Sequence, residues 1–425
     1  MGTIALASCI DEVDLDIGMG NDPLDILIVE STLSDEVKRH RVVLSKIDTL
    51  IDLQLDSVFN PFIPVRDMQR DFVNYEENAN VSVTDGNGNV FDYVETEPGI
   101  YESNVAYGAT MGNTYQLNVV RSNGTRYASE AMAIEGMASL DDVYAERMTN
   151  DEGVDGIGIF IDGSVMEGES NNFRYTYDET YKIIAPEWTP FEFRLTNYDP
   201  CALPEPTYDL EIVEREEEQQ VCYRTDPSNT IIQTETITSQ SGPRKFMVRF
   251  IPNDDFIISH RYSIEVQQRV AGVASYAFYE QLNNFSQTGS VFSQVQPGFL
   301  EGNLFAENGR QGAVIGFFDV VSVAKRRMFF NYTDFYPTEE IPPFPFNCGL
   351  HSSPESHISF CFSGPTGGNP CPQSIIERVN LDLIAYVGVN SDNIGTCPGP
   401  YTYVATVCGD CTQLGSNVVP EFWVE

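Results

Sequence analysis

The sequence predicts a mainly β protein: an N-terminal β-sandwich, then a larger β-rich domain with one or two helices and a disulfide-rich C-terminal part. Three observations carry this. Short runs of alternating apolar and polar residues recur between turn residues, at the roughly 8–12-residue spacing of sandwiches. Only one stretch, 273–285, has convincing helical periodicity. Six of the nine cysteines fall between Cys348 and Cys411. The 425 residues are 42% hydrophobic and 12% aromatic, enough for sizeable cores and against disorder. Charge narrows the function: 24 − 63 = −39 repels phosphate, so no nucleic-acid partner and no anionic membrane face is expected.

The strands begin at 24–30 and 41–46, two apolar runs. Residues 80–84 and 90–94 alternate on either side of Asp85-Gly86-Asn87-Gly88-Asn89, which predicts a β-hairpin. That string also offers calcium-binding oxygens, but it lacks a twelve-residue loop closed by a bidentate Glu, so a turn is the expectation. Further strands are expected at 99–101 and 112–119. The Gly-x-Tyr spacing here resembles small immunoglobulin/transthyretin-like or carboxypeptidase-regulatory-type sandwiches, which serve as spacers or adaptors. Residues 131–151 read as a connector. Strands follow at 154–161, 173–184, 208–213, 230–238, 245–251 and 257–270. Ala274, Ala277, Phe278, Leu282 and Phe285 share one face of the predicted helix, a pattern that normally packs into a core. Strands return at 311–321 and 326–331. The stretch 337–348 carries four prolines and predicts a loop stapled by the cysteines. The expected domains are 24–135 for the sandwich and 136–425 for the larger body, after a leader segment 1–23.

Leu6-Ala7-Ser8-Cys9 has the form of a bacterial lipobox, in which the Cys9 thiol takes a lipid. Only eight residues precede Cys9, too few for a basic start plus an apolar run of about 7–15 residues. The expectation is a truncated signal peptide, with the true start further upstream or the N-terminus trimmed. Asp11, Glu12 and Asp14 follow at once. This acidic run resembles the surface-export signal of Bacteroidota lipoproteins, and it also suits a solvated tether.

Setting Cys9 aside leaves an even set: Cys201, Cys222, Cys348, Cys361, Cys371, Cys397, Cys408 and Cys411. Even, clustered cysteines in an exported chain predict disulfides. Cys201–Cys222 is the expected pair, since these two are isolated from the rest and flank a predicted hairpin. Cys408-Gly409-Asp410-Cys411 raises redox and zinc readings. A redox pair opens a helix in a βαβ unit, and zinc needs further ligands such as Cys397, His357 or Cys371. Here the motif follows the strand-like run 401–407 and no second Cys-x-x-Cys exists, so structural disulfides are the expectation and no metal is assigned.

Chemistry-bearing motifs are sparse. His40, His260, His351 and His357 form no HExxH or HxH arrangement. There is no Gly-x-Ser-x-Gly elbow, no Walker loop and no dinucleotide-binding glycine motif between strand and helix. Gly153-Val154-Asp155-Gly156-Ile157-Gly158 reads as a turn or bulge. Lys325-Arg326-Arg327 is a basic cluster, suited to an acidic partner or, as a strand edge, to blocking unwanted pairing. No catalytic residue, metal or cofactor is assigned.

Several strings together resemble the DUF4249 family of Bacteroidota lipoproteins: Arg174 to Tyr181, Tyr279 to Gly302-Asn303, Gly316 to Arg326, and Cys408 to Thr412 with the closing Pro420-Glu421-Phe422-Trp423. The chain departs from the pattern at Val418-Val419, where basic residues are expected. The resemblance implies a surface-exposed, lipid-anchored outer-membrane protein beside a TonB-dependent transporter. It supplies no catalytic residues, so the expected role is non-enzymatic, as an accessory or ligand-binding partner. The alternatives are a surface hydrolase of glycans or peptides and a structural adhesin or envelope component.

Overall fold

The computed structural model describes residues 26–46, 64–67, 73–168, 170–199, 202, 207–236, 242–287, 300, 302–307, 314–355, 374–395 and 398–425. The protein is mainly β, as expected. It divides into two compact units, and neither is contiguous in the chain. The first comprises 1–51, 73–135 and 272–322; the second comprises 52–72, 136–271 and 323–425. The contiguous division expected from the sequence is thus corrected: 272–322 returns to the first unit, because its last strand completes that unit's sheet.

The first unit is one hydrogen-bonded path of strands. Leu304–Ala306, Arg126–Ser129, Thr114–Val120 and Asn80–Asp85 run side by side. Ile100–Ser103, Arg41–Lys46, Leu27–Ser34 and Val314–Val321 form the rest. The strand Val90–Glu97 serves both groups. Its first half pairs with Asn80–Asp85 (Thr84 opposite Val90), and its second half pairs with Ile100–Ser103 (Tyr93 opposite Ser103). Alternation places Leu27, Val29, Val42, Leu44, Val81, Val83, Leu117 and Val119 inside. Most pairings are antiparallel. Leu27–Ser34 and Val314–Val321 instead pair in parallel across nearly 290 residues of chain. The expected Asp-Gly-Asn-Gly-Asn turn is observed. Asp85 accepts from Asn87 N, Asn89 N and Asn89 Nδ2 at 2.8–2.9 Å, and Gly88 takes φ +85°. These bonds hold the Asp85 carboxyl below its ordinary range, with the Asn89 amide the largest cause.

The two ends of this path meet at a seam. Asn303 is buried, and its side-chain amide mimics a strand partner: Nδ2 donates to Phe318 O and Oδ1 accepts from Phe318 N, both at 2.8 Å. Glycine makes the approach possible. A Cβ at Gly302 would lie 1.7 Å from Gly316 O, and one at Gly316 (φ +152°) would lie 2.2 Å from Val29 O. The helix Val273–Gln287 packs Phe278 near Phe317 at 5.5 Å between ring centroids. Ala274 of the predicted stripe is exposed instead, and Ser275 turns inward to donate to the buried Asp319 at 2.6 Å.

In the second unit, Gly136–Thr149 pairs with Asp155–Gly168, which pairs with Phe246–Pro252. The expected connector 131–151 is therefore mostly a strand. Register shifts after Met137 and Leu140 break the period of two, so alternation did not register it. A second sheet orders Val221–Pro227, Asn172–Ile184, Arg261–Ala271 and Val323–Asn331, with Ile232–Glu235 also pairing to Asn172–Ile184. Ile157, Ile159, Ile161, Phe173, Tyr175, Ile183, Tyr262, Ile264 and Val266 fill the core of this unit. Phe191–Asp199 with Thr207–Glu214, and Ile384–Val389 with Tyr401–Ala405, add two hairpins. The basic cluster is used within the fold. Arg326 donates to Asp141 O at 2.6 Å. Arg327 pairs with Glu265 at 3.2 Å and lies 3.6 Å over the Phe422 ring. Trp423 is held between Tyr223 and Phe329.

Candidate functional site

The chemistry of the second unit concentrates where the strand Tyr401–Ala405 ends. A single helical turn, Thr406–Gly409, is followed by a 3-10 turn, Cys411–Gln413. Asp410 joins them in extended backbone, and its Oδ1 accepts from Thr412 N at 2.8 Å and Thr412 Oγ1 at 2.6 Å. This reversal aims the two cysteines at different partners. Cys408 bonds Cys348, and Cys411 bonds Cys222. The Cys-x-x-Cys is thus neither a redox pair nor a metal pair but a junction for two long-range cross-links.

This corrects the expected Cys201–Cys222 pair. Nearness in sequence is not what decides it. Tyr223 pairs with Ser416 through both backbone groups, which brings the buried Cys222 against Cys411, 189 residues on. The expected loop 337–348 is indeed stapled, through Cys348. Cys9, Asp11, Glu12, Asp14, Cys201, Cys361, Cys371, Cys397 and His357 lie outside the described residues.

Beside the junction is a cavity of about 300 Å³. Its walls come from five places: Arg66 in a short turn, Glu192 and Phe193 in the strand Phe191–Asp199, Arg215 and Gln219 in the loop after the strand Thr207–Glu214, Val379 to Tyr386, and Thr406 with Asp410. Arg215 is its fixed point. The side chain is 7% exposed. Nε donates to Thr189 O at 3.0 Å, Nη2 to Gly409 O at 3.3 Å, and Nη1 to Gln219 Oε1. Glu192 sits 3.7 Å from Nη1. Cys411 N in turn donates to Gln219 O at 2.9 Å, so the cross-linked turn and the arginine loop hold one another. Arg66 pairs with Asp382, which takes φ +53° and also accepts from Gln413 Nε2. Phe193 and Tyr386 meet edge to face at 5.3 Å. Burial, then Tyr401, push the Tyr386 phenol up, keeping it a neutral donor.

The inventory leaves capacity for a ligand. Among the described residues Asp410 Oδ2 accepts nothing, Gln219 Nε2 has no partner, and one Nη2 hydrogen of Arg215 is unspent. The formal charge is near balance: two arginines against Glu192, Asp382 and Asp410 give 2 − 3 = −1. No described histidine lines the cavity, and among the described residues no His/Cys/Asp/Glu group is arranged for a metal. His40 is buried in the first unit, where Nε2–H donates to Tyr107 O at 2.8 Å and burial lowers the ring's pKa.

Sequence reading singled out Asp410 only as part of the Cys-x-x-Cys motif and missed the other lining residues. Alternation of Phe191, Phe193 and Leu195 was a usable signal for one wall. Nothing in the sequence brings Arg66, Arg215 and Asp382 together, because separate segments deliver them.

Fold and site together define a mainly β protein with a disulfide-linked C-terminal part around a polar cavity. A family model described as "Domain of unknown function (DUF4249)" matches residues 10–327, and the chain belongs to that family. The matched range includes Glu192, Phe193, Arg215 and Gln219 and ends before Asp382 and Asp410. No curated protein matches the chain.

Proposed function

We propose that this protein is a non-enzymatic lipoprotein of the outer-membrane surface, held by lipid on Cys9 and acting as a ligand-binding accessory of a TonB-dependent transporter. The observation that carries this reading is the pair of disulfides sharing one Cys-x-x-Cys. Such bonds persist in oxidising compartments and not in a reducing cytosol. The lipobox at Cys9 supplies an anchor, and the acidic residues after it supply the export signal. No helix among the described residues is long and apolar enough to cross a membrane, so in this reading attachment falls to the lipid. One acyl chain holds only marginally, and a multiply acylated cysteine holds firmly. The polar cavity gives the accessory something to bind. Purifying the native protein from its membranes in mild detergent is the test. An outer-membrane barrel should co-purify; recovery of the lipoprotein alone overturns the transporter partnership.

A further inference from the structure

We propose that the cavity beside the Cys408–Cys411 junction binds a neutral saccharide. The proposal rests on the ligand-binding reading above and names the ligand's chemical class. Three features of the cavity point to it.

The first is charge. An anion entering would meet Asp410, which is 6% exposed, and Glu192, inside a protein of net charge −39. A cation would meet the guanidinium of Arg215, whose place is fixed by two backbone carbonyls. A neutral ligand pays neither penalty. The second is the kind of hydrogen bonding left over. Asp410 Oδ2 accepts, while Gln219 Nε2 and an Nη2 hydrogen of Arg215 donate. A hydroxyl both donates and accepts, so a ligand rich in hydroxyls satisfies acceptor and donors at once. A ligand with donors alone or acceptors alone leaves some of them buried and unpaired. The third is the wall. It is mainly polar, since Tyr386 is buried and meets Phe193 edge to face, so a ligand is held through its polar groups. The volume stands at the small end of ligand pockets, about 300–1,000 Å³, which suits a short saccharide or the end of a longer glycan.

The cross-links give this site its rigidity. Asp410 lies between the two bonded cysteines, so its carboxylate is positioned before a ligand arrives. Preorganisation of that sort raises affinity by lowering the ordering cost.

The test uses the full-length, disulfide-intact protein. Calorimetric titration with glucose, galactose, mannose, xylose, cellobiose, maltose and lactose is set against glucuronate and glucosamine as charged counterparts. Immobilised neutral polysaccharides separate a free sugar from a chain end as the source. At least one neutral sugar or glycan should bind, and the charged counterparts should bind about tenfold or more weakly. Asp410→Asn keeps the shape and the Thr412 contacts; Gln219→Glu removes a donor and keeps the oxygen that accepts from Arg215. Each should weaken binding about tenfold or more while the thermal transition stays within the wild-type range. No binding to any neutral sugar or polysaccharide overturns the proposal, as does equal binding by both variants. If the barrel still co-purifies in that case, the saccharide assignment alone falls and the accessory role stands. Loss of co-purification with sugar binding retained removes the partnership and keeps the site.

Discussion

Cutting the Cys222–Cys411 cross-link should remove much of the second unit's stability. The bond joins residues 189 apart, and the loop-closure relation gives about 5 kcal/mol for restricting that length of unfolded chain. The Cys348–Cys408 bond, with a separation of 60, gives about 4 kcal/mol by the same relation. Cys222, Cys408 and Cys411 are all fully buried. Alanine is therefore the right replacement, since serine would bury an unpaired hydroxyl and add a second cost. Removing native disulfides typically costs about 2–5 kcal/mol, so Cys222→Ala/Cys411→Ala should lose about 3–5 kcal/mol and Cys348→Ala/Cys408→Ala somewhat less. Urea unfolding read by tryptophan fluorescence is the assay. Both tryptophans, Trp188 and Trp423, lie in the same unit as these bonds, so the signal reports that unit alone. Dithiothreitol on the wild type should move its midpoint at least as far as the double variant moves. A loss below about 1 kcal/mol for the longer bond, or a larger loss for the shorter one, refutes the reasoning.

Three further outcomes concern the first unit and are read by hydrogen exchange of its amides. Burial pushes the Glu76 carboxyl up, but Arg121 in bidentate contact at 2.9–3.0 Å and Lys46 at 3.3 Å outweigh it and hold it below the usual range. Stability from this cluster is present above the unfolded carboxylate value of about 4.3 and is lost as pH falls through the lower folded one; Glu76→Gln should flatten that acid dependence. Arg121→Met strands a buried carboxylate with only Lys46 beside it and should cost about 2–4 kcal/mol at neutral pH; a cost under about 1 kcal/mol contradicts the pairing. Asn303→Ala should cost about 2–4 kcal/mol, because Phe318 loses partners for both buried backbone groups, and the Phe318 amide should lose protection first. Unchanged protection there counts against the seam.

Much of the fold was legible in the residues, and the losses have identifiable causes. The hairpin around Asp85 was readable because local turn chemistry decides it. The helix at 273–287 was readable from Phe278 and Leu282, although Ala274 faces out and Ser275 faces in toward Asp319. The strand Gly136–Thr149 was hidden by its two register shifts. The return of 272–322 to the first unit was hidden because the parallel pairing of Leu27–Ser34 with Val314–Val321 is non-local. The same holds for the disulfides. The cysteine count predicts cross-links, while the partner of Cys222 depends on Tyr223 meeting Ser416 at the far end of the chain. The cavity was the least legible, since its charged groups converge only through those long-range contacts.

Mass spectrometry of the native protein, isolated from its own membranes and alkylated before reduction, bears most directly on whether this is an exported, lipid-anchored molecule. The N-terminal peptide should begin at Cys9 with a diacylglycerol adduct, and Cys222, Cys348, Cys408 and Cys411 should be closed to the alkylating reagent. An unmodified Cys9 inside a longer peptide, together with four alkylated thiols, would contradict it.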